Sequence, residues 1–410
     1  MFLDKLIPGV INVLWRFIML QTDMQKQYRI PLFCILTLLY WFSMYTYVPI
    51  LAAYVEMLGA SHKMAGIIVG SYGFTQMILR IPVGVVSDRI HKRRLFINFG
   101  MVFTLLSGVG LWLSKDLTLI LVFRSLAGAA AATWVDFTVL FTSYYKHEKS
   151  TEAIGTLSFL NNIAQMLGMF AGGWLSEKVS WESPFALGAA AALLGLALSF
   201  FIVEKFEEGA TKITPREILG VAKDRTLITV SSLAILSQVI TFATVYGFTP
   251  VYAKAMGASK LDMALLTVFS SLPSAFASLL GSKHLTRMFG EKMVAAWGFI
   301  LMGVFTVTIP FTGNFWLLLV TQVFAGIGRG LTFPSLMGLS IKDMPASRRA
   351  TAMGFFQAIY GLGMFAGPVL MGLIGDMASL SQGFLLIGLI GCLSALLSWV
   401  TIKPAQKNPA

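Results

Sequence analysis

Twelve apolar runs, each 20 to 27 residues long, divide this chain of 410 residues. They cover 30–54, 62–87, 95–114, 117–143, 153–177, 184–203, 226–252, 262–283, 292–311, 315–341, 349–374 and 381–402. A helix needs about 20 residues to cross the hydrocarbon of a bilayer. Inside lipid the backbone must satisfy its own hydrogen bonds, so such runs become helices. The pattern predicts an all-α membrane protein with twelve transmembrane helices. Composition agrees, with 12% charged residues against about 25% in a soluble domain.

The connectors set the expected orientation. Of 31 Lys and Arg, 23 fall in the segments on one side, five on the other and three inside spans. The basic side should be cytoplasmic, with both termini there. The same sorting explains the net charge of +12 without nucleic acid as a partner. Residues 1–29 form an N-terminal segment in which Ile7 to Leu20 is too short to span. It reads as a helix lying along the membrane surface. No cleavable signal order is present. Residues 204–225 make the one long polar connector, where Thr214-Pro215-Arg216-Glu217 has the form of a helix start. A tail, 403–410, ends the chain. Cys34 and Cys392 lie in apolar runs and suggest no thiol chemistry.

The runs before and after that connector repeat. Leu167-Gly-Met-Phe-Ala-Gly172 returns as Leu362-Gly-Met-Phe-Ala-Gly367. Gly59-Ala-Ser61 returns as Gly257-Ala-Ser259, and Arg124-x-x-x-Gly128 as Gln322-x-x-x-Gly326. The offsets are 195, 198 and 198. Residues 30–203 and 226–402 therefore read as two pseudo-symmetric six-helix bundles. Such a repeat places a substrate site at the interface of the halves, near the bilayer midplane.

Between the second and third runs stands Gly84-x-x-x-Asp88-Arg89-x-x-Lys92-Arg93-Arg94. Asp88 falls at a membrane edge, where a carboxylate can meet a basic group or a helix N-terminus. Gly84 and Ser87 are small enough to let helix backbones approach. This stretch resembles the loop signature of the major facilitator superfamily, with His91 where that pattern has Gly. The fourth run carries Arg124-x-x-Ala127-Gly128, similar to the family's Arg-x-x-Gln-Gly. The fifth carries Ala164-x-x-x-Gly168-Met169-x-x-Gly172-Gly173, similar to the signature Gly-x-x-x-Gly-Pro-x-x-Gly-Gly of its antiporters. The eleventh has Gly363-x-x-x-Gly367-Pro368. The resemblance covers essentially the whole chain and implies alternating access, in the manner of the drug:proton antiporters with twelve spans.

Charges inside a bilayer are costly and mark pathways or buried pairs. Arg329 lies near the middle of the tenth run with no acid at its depth, and Arg124 lies in the fourth. Together they are expected to hold the negative part of a substrate elongated enough, or doubly acidic enough, to touch both. Arg80 and Asp136 lie at nearly equal depth, about 12–13 Å from the basic ends of their runs. They are expected to form a buried ion pair, either structural alone or also a proton switch through Asp136, with Asp88, Arg89 and Gly84 at the gate. Polar-aromatic positions complete the expected cavity: Tyr40, Tyr45, Asn162 and Gln165 from the first half, and Tyr246, Gln357 and Tyr360 from the second.

The four histidines lie in or beside loops without metal-ligand spacing,. No metal, cofactor or enzyme activity is expected, and no phosphate-binding loop for ATP occurs. The leading reading is a proton-coupled exporter of an amphipathic, anionic organic compound, drug-like or a siderophore-type metabolite, acting as a monomer in a bacterial inner membrane. A proton-coupled importer of an organic anion is the alternative. A membrane receptor or scaffold would leave the arginines inside the spans unexplained.

Overall fold

The structure, a computed structural model, describes residues 28–145, 149–204, 220–342, 344–345 and 348–402. The surface helix expected at 7–20, the linker helix at Thr214 and the tail 403–410 lie outside them. The described residues are helical, without strands. The first half holds α1 (28–45), α2 (Val48–Met57), α3 (His62–Ile90), α4 (Arg93–Leu113), α5 (Leu117–Ala132), α6 (Trp134–Ser143), α7 (Ser150–Lys178) and α8 (Ser183–Ser199). The second holds α9 (Arg225–Ala243), α10 (Thr249–Ala255), α11 (Lys260–Leu280), α12 (Thr286–Val307), α13 (Phe315–Lys342), α14 (Arg349–Met377) and α15 (Leu380–Thr401).

Among the described residues, ten helical stretches are long and apolar enough to cross a membrane. The two further expected spans correspond to α7 and α8. The first has 29 residues, about 43 Å at 1.5 Å per residue, but carries more polar side chains,. The second is apolar but has 17 residues.

The repeated letters are repeated structure. In Gly59-Ala-Ser61 and Gly257-Ala-Ser259 the glycines take φ of 95° and 87°, which ends a helix,. Each serine then caps the next one: Ser61 accepts from Met64 N–H at 3.2 Å, and Ser259 forms a capping box with Asp262,. Gly168 and Gly172 lie against the backbone of Phe42 and Thr46, and Gly363 and Gly367 against Ile235 and Val239. Thus α7 meets α1 as α14 meets α9. Gly128 lies on Tyr72 as Gly326 lies on Ser270. Where the antiporter signature has Pro, Met169 is buried and α7 runs on unbroken.

Two breaks lie in equivalent places. Pro49 offers no N–H to the Tyr45 carbonyl, and the helix interrupts at 46–47,. Pro250 does the same to Tyr246, and a π-helical segment, Thr244–Phe248, precedes α10,. The end of the molecule bearing the α3–α4 turn is called here the basic end, and the opposite one the far end.

Candidate functional site

A cavity of about 390 Å³ lies between the halves. The first half supplies Trp41 and Tyr45 from α1, Tyr72 and Gln76 from α3, and Asn161, Asn162 and Gln165 from α7. The second supplies Gln238 and Phe242 from α9, Tyr246 from the π segment, and Tyr360 and Met364 from α14. Another part of the wall is Ser271, Ser274 and Ser278 of α11 beside Arg329 and Phe333 of α13. No Asp or Glu is among the described lining residues.

The helix breaks turn Tyr45 and Tyr246 toward each other. Their rings meet edge to face across the halves, with centres 6.1 Å apart,. Arg329 sits behind Tyr246, its guanidinium carbon 5.7 Å from that ring centre. Its Nε donates to Ser274 Oγ at 3.3 Å, and Nη2 to Ser270 O at 3.3 Å and Ser271 Oγ at 3.4 Å. Nη1 is enclosed and has no partner among the described residues. These neutral oxygens orient the cation without neutralising it.

The structure brings Tyr45, Asn162, Gln165, Tyr246, Tyr360 and Arg329 to the cavity. It does not bring Tyr40, Gln357 or Arg124 to the lining. Tyr40 is fully buried, stacks on Phe137, and donates its hydroxyl to Ala130 O. It fills a core where the sequence reading expected a ligand contact, because depth along a helix does not fix the face a side chain takes. Gln357 is half-buried outside the lining. Arg124 is 3% exposed and bonded to Tyr47 Oη at 3.3 Å. Its guanidinium lies over the rings of Tyr72, at 4.6 Å, and Tyr47, at 5.4 Å,. Tyr72 stands between it and the cavity, so the two arginines do not converge. The serines of α11 escaped the sequence reading, although their spacing puts 271, 274 and 278 on one helix face.

At the far end hydrogen bonds among the described residues join the halves. Asp376 of α14 accepts from the backbone N–H of His62, at 2.9 Å, and of Lys63, at 3.0 Å. Glu177 of α7 accepts from Lys260 N–H at 2.9 Å. Lys260 Nζ donates to Ser176 O and Lys254 Nζ to Ala53 O. Each carboxylate caps the first turn of a helix in the other half. Small residues tighten the same seam: Gly66 meets the Pro368 carbonyl, and Gly173 meets Ala264.

The sequence matches the Major Facilitator Superfamily over residues 33–264 and 231–410. The chain belongs to this family. An uncharacterized MFS-type transporter of Methanocaldococcus jannaschii is 24% identical over 373 residues, 87% of this chain and 93% of that one. The inner membrane transport protein YajR of Escherichia coli is 25% identical, covering 90% of this chain and 80% of its own. The quinolone resistance protein NorA of Staphylococcus aureus is 30% identical over 161 residues, 39% of this chain and 40% of NorA. Among solved structures, a bacterial homolog of the human lysosomal transporter Spinster aligns with TM-score 0.75 at 14% identity, over 92% and 97% of the two chains. The nucleoside transporter NupG aligns with TM-score 0.72 at 13% identity, over 91% and 100%. The protein is thus an integral membrane transporter of small molecules and not an enzyme.

The superfamily's loop signature is built here on a left-handed residue. His91 takes φ 56° and ψ 31°, the conformation for which the family pattern supplies Gly, and the tight turn forms despite the side chain,. Beyond the turn Arg93 starts α4 and forms ion pairs with Asp88 and, at 3.1 Å, with Asp136. Its Nη1 also donates to Ser87 Oγ at 3.3 Å. The expected Arg80–Asp136 pair is therefore not formed. Arg80 is buried with Nε and Nη1 unpartnered, while Arg93 reaches the carboxylate. Equal depth was the warrant for the pair, and it carries no information on azimuth. The chain restarts as α6 after Thr133, which contacts Gly100 of α4, so Asp136 emerges in the first turn beside α4. Arg89 is exposed. Gly84 makes no tight contact, its nearest neighbour being the Val135 side chain at 3.9 Å from a built Cβ. The close approach expected there occurs at Gly66, Gly70 and Gly73 instead, where α3 meets α14.

Proposed function

We propose that this protein is a secondary active transporter, a proton-coupled exporter of an amphipathic organic anion, working by alternating access. The observation that carries the reading is the cavity between the halves, with the Arg329 guanidinium on its wall and no described carboxylate around it. An uncompensated charge at that depth is costly unless the site uses it. The aromatic and amide walls suit a ligand with an apolar body and a few polar groups.

In this reading the basic end faces the cytoplasm of a bacterium, both termini lie there, and residues 30–203 and 226–402 rock as two units in a monomer. The contacts at the far end then keep the outer side shut while the cavity serves the inner side. Asp88, Arg93 and Asp136 form the inner gate's anchor and the route by which protons act on it. Partial likeness to a quinolone resistance protein favours export.

Uptake of radiolabelled naphthoate into inverted vesicles under an imposed pH gradient tests this. Accumulation that requires the gradient and is lost in Arg329→Gln is expected. Accumulation confined to right-side-out vesicles would establish the importer instead, and gradient-independent flux would end the proton-coupled reading.

A further inference from the structure

Among the described residues, Arg329 is the one cation on a wall whose other polar groups are neutral. We infer that the cavity selects aromatic monoanions, holding a single carboxylate or sulfonate at the Arg329–Ser271–Ser274 clasp and a planar body against Tyr45, Phe242, Tyr246 and Phe333. The inference rests on the reading above that this cavity holds the substrate, and goes further by fixing the number of charges and the kind of body.

One charge follows from what is walled off. Three arginines lie inside the spans, and of these only Arg329 is among the described lining residues. Arg124 is 3% and Arg80 6% exposed, and neither reaches the lining. Tyr72 covers Arg124 with its ring face, so a second acidic group would find no second cation. It would instead lose hydration against amide and aromatic walls.

The sign follows from the clasp. Arg329 donates to two serine hydroxyls and a backbone carbonyl, all neutral, and keeps one enclosed N–H nitrogen without a partner among the described residues. An arriving oxyanion gains charge-assisted bonds from the guanidinium. The serine hydroxyls rotate to donate once an acceptor stronger than water is present. A cationic ligand meets like charge with no lining carboxylate to offset it.

The aromatic body follows from ring geometry. Phe242 and Tyr246 stand 5.1 Å apart at 64°, and Tyr45 meets Tyr246 at 82°. These mutually tilted rings present both edges and faces, which matches the edge-to-face and offset packing that aromatic ligands favour. The anion clasp adjoins them, since Tyr246 touches both groups.

The test is a binding titration of the full chain in nanodiscs, without any pH gradient. The probes are four compounds of one ring system: naphthoate, naphthylmethanol, naphthylmethylammonium and naphthalenedicarboxylate. Naphthoate should bind about tenfold to hundredfold tighter than the alcohol. The ammonium should bind more weakly than the alcohol, and the dicarboxylate no better than naphthoate. Arg329→Gln should erase the carboxylate's advantage, and Arg124→Gln should keep it. An ammonium that matches naphthoate overturns the charge assignment. A dicarboxylate tenfold tighter than naphthoate, with the gain lost in Arg124→Gln, overturns the single anchor. The ranking on the unmutated protein is decisive even if a variant fails to fold. Because no gradient is applied, a failure of proton coupling or of export leaves this ranking intact, and a wrong ranking leaves coupled export open to its own vesicle test.

Discussion

The turn between α3 and α4 and the non-helical break at Gly290 inside α12 occupy matching places at the basic end of the two halves, yet they are chemically opposed. In the first half Arg93 opens α4 and holds Asp136, which is fully buried, together with Asp88. In the second half the position 198 residues later is Glu291, and it pairs with Lys342 at 2.7 Å. The charge at this position is reversed, its partner comes from elsewhere because the mate of Asp136 is Pro334, and the Lys342 side chain is 43% exposed. The backbone repeat has been kept while the electrostatics were rewritten. One turn is fastened inside its own bundle by a buried network, and the other carries an ordinary surface pair. The basic-end network therefore lies within one half, whereas the far-end bonds run between halves.

The largest effect expected from this contrast is on stability. Arg93→Gln leaves Asp136 buried without its cation and should cost about 3–5 kcal/mol. Lys342→Gln removes a solvated pair and should cost about 0–1 kcal/mol. Thermal unfolding of both variants in detergent reads the difference. A double-mutant cycle sharpens it: Arg93→Gln and Asp136→Asn should be strongly non-additive, whereas Arg80→Gln and Asp136→Asn should add. Equal losses for Arg93→Gln and Lys342→Gln would mean that the two turns are energetically alike.

Asp88 comes next. It shares Arg93 with Asp136 but keeps its side chain 21% exposed. Losing one charge-assisted contact of this kind is worth about 1–2 kcal/mol after solvent screening. The same change should speed thiol labelling of cysteines placed in the basic-end half of the cavity, if the network also steadies that end. Unchanged stability together with unchanged labelling would reduce Asp88 to a surface charge.

Much of this architecture is legible before any coordinates. Helices in lipid must be long, apolar and internally bonded, so hydropathy finds them, and the Gly-Ala-Ser repeats mark stops and starts by a local rule. Arg329 is legible because a lone charge in an apolar run has few reasons to exist. The misplacements share one cause. The sequence places Arg80, Arg124 and Tyr40 within spans, and position along a span is one coordinate of three. Which face of a helix looks inward depends on partners distant in sequence, as Arg93 shows by taking Asp136 from a different helix. The α11 serines were missed for a related reason. Serine in a membrane helix usually bonds its own preceding turn, as Ser335 does to Leu331 O at 2.7 Å, and such spacing says little until an arginine arrives opposite.

The smallest expected effect concerns the turn residue itself. His91 is left-handed at φ 56°, while the matching turn of the second half uses Gly290 at φ 80° and ψ 158°. A side chain in the left-handed region costs roughly 1–2 kcal/mol. Glycine removes that cost, but it also frees the unfolded chain, which takes back about 0.4–1 kcal/mol. His91→Gly should thus raise stability by about 0.5–1 kcal/mol, provided the turn keeps the His91 N–H bond to Ser87 O at 2.9 Å. Histidine is exposed there and has no described side-chain hydrogen bond to lose. Gly290 lies in a region that is nearly closed to side chains, so Gly290→Ala should lose about 1–3 kcal/mol although nothing stands within 4 Å of the added Cβ,. The opposite signs are the point of the test. Melting both variants beside the wild type measures them directly. A loss in His91→Gly would show that the imidazole contributes more than its backbone strain costs, and would make this residue a functional part of the loop and not a tolerated departure from glycine.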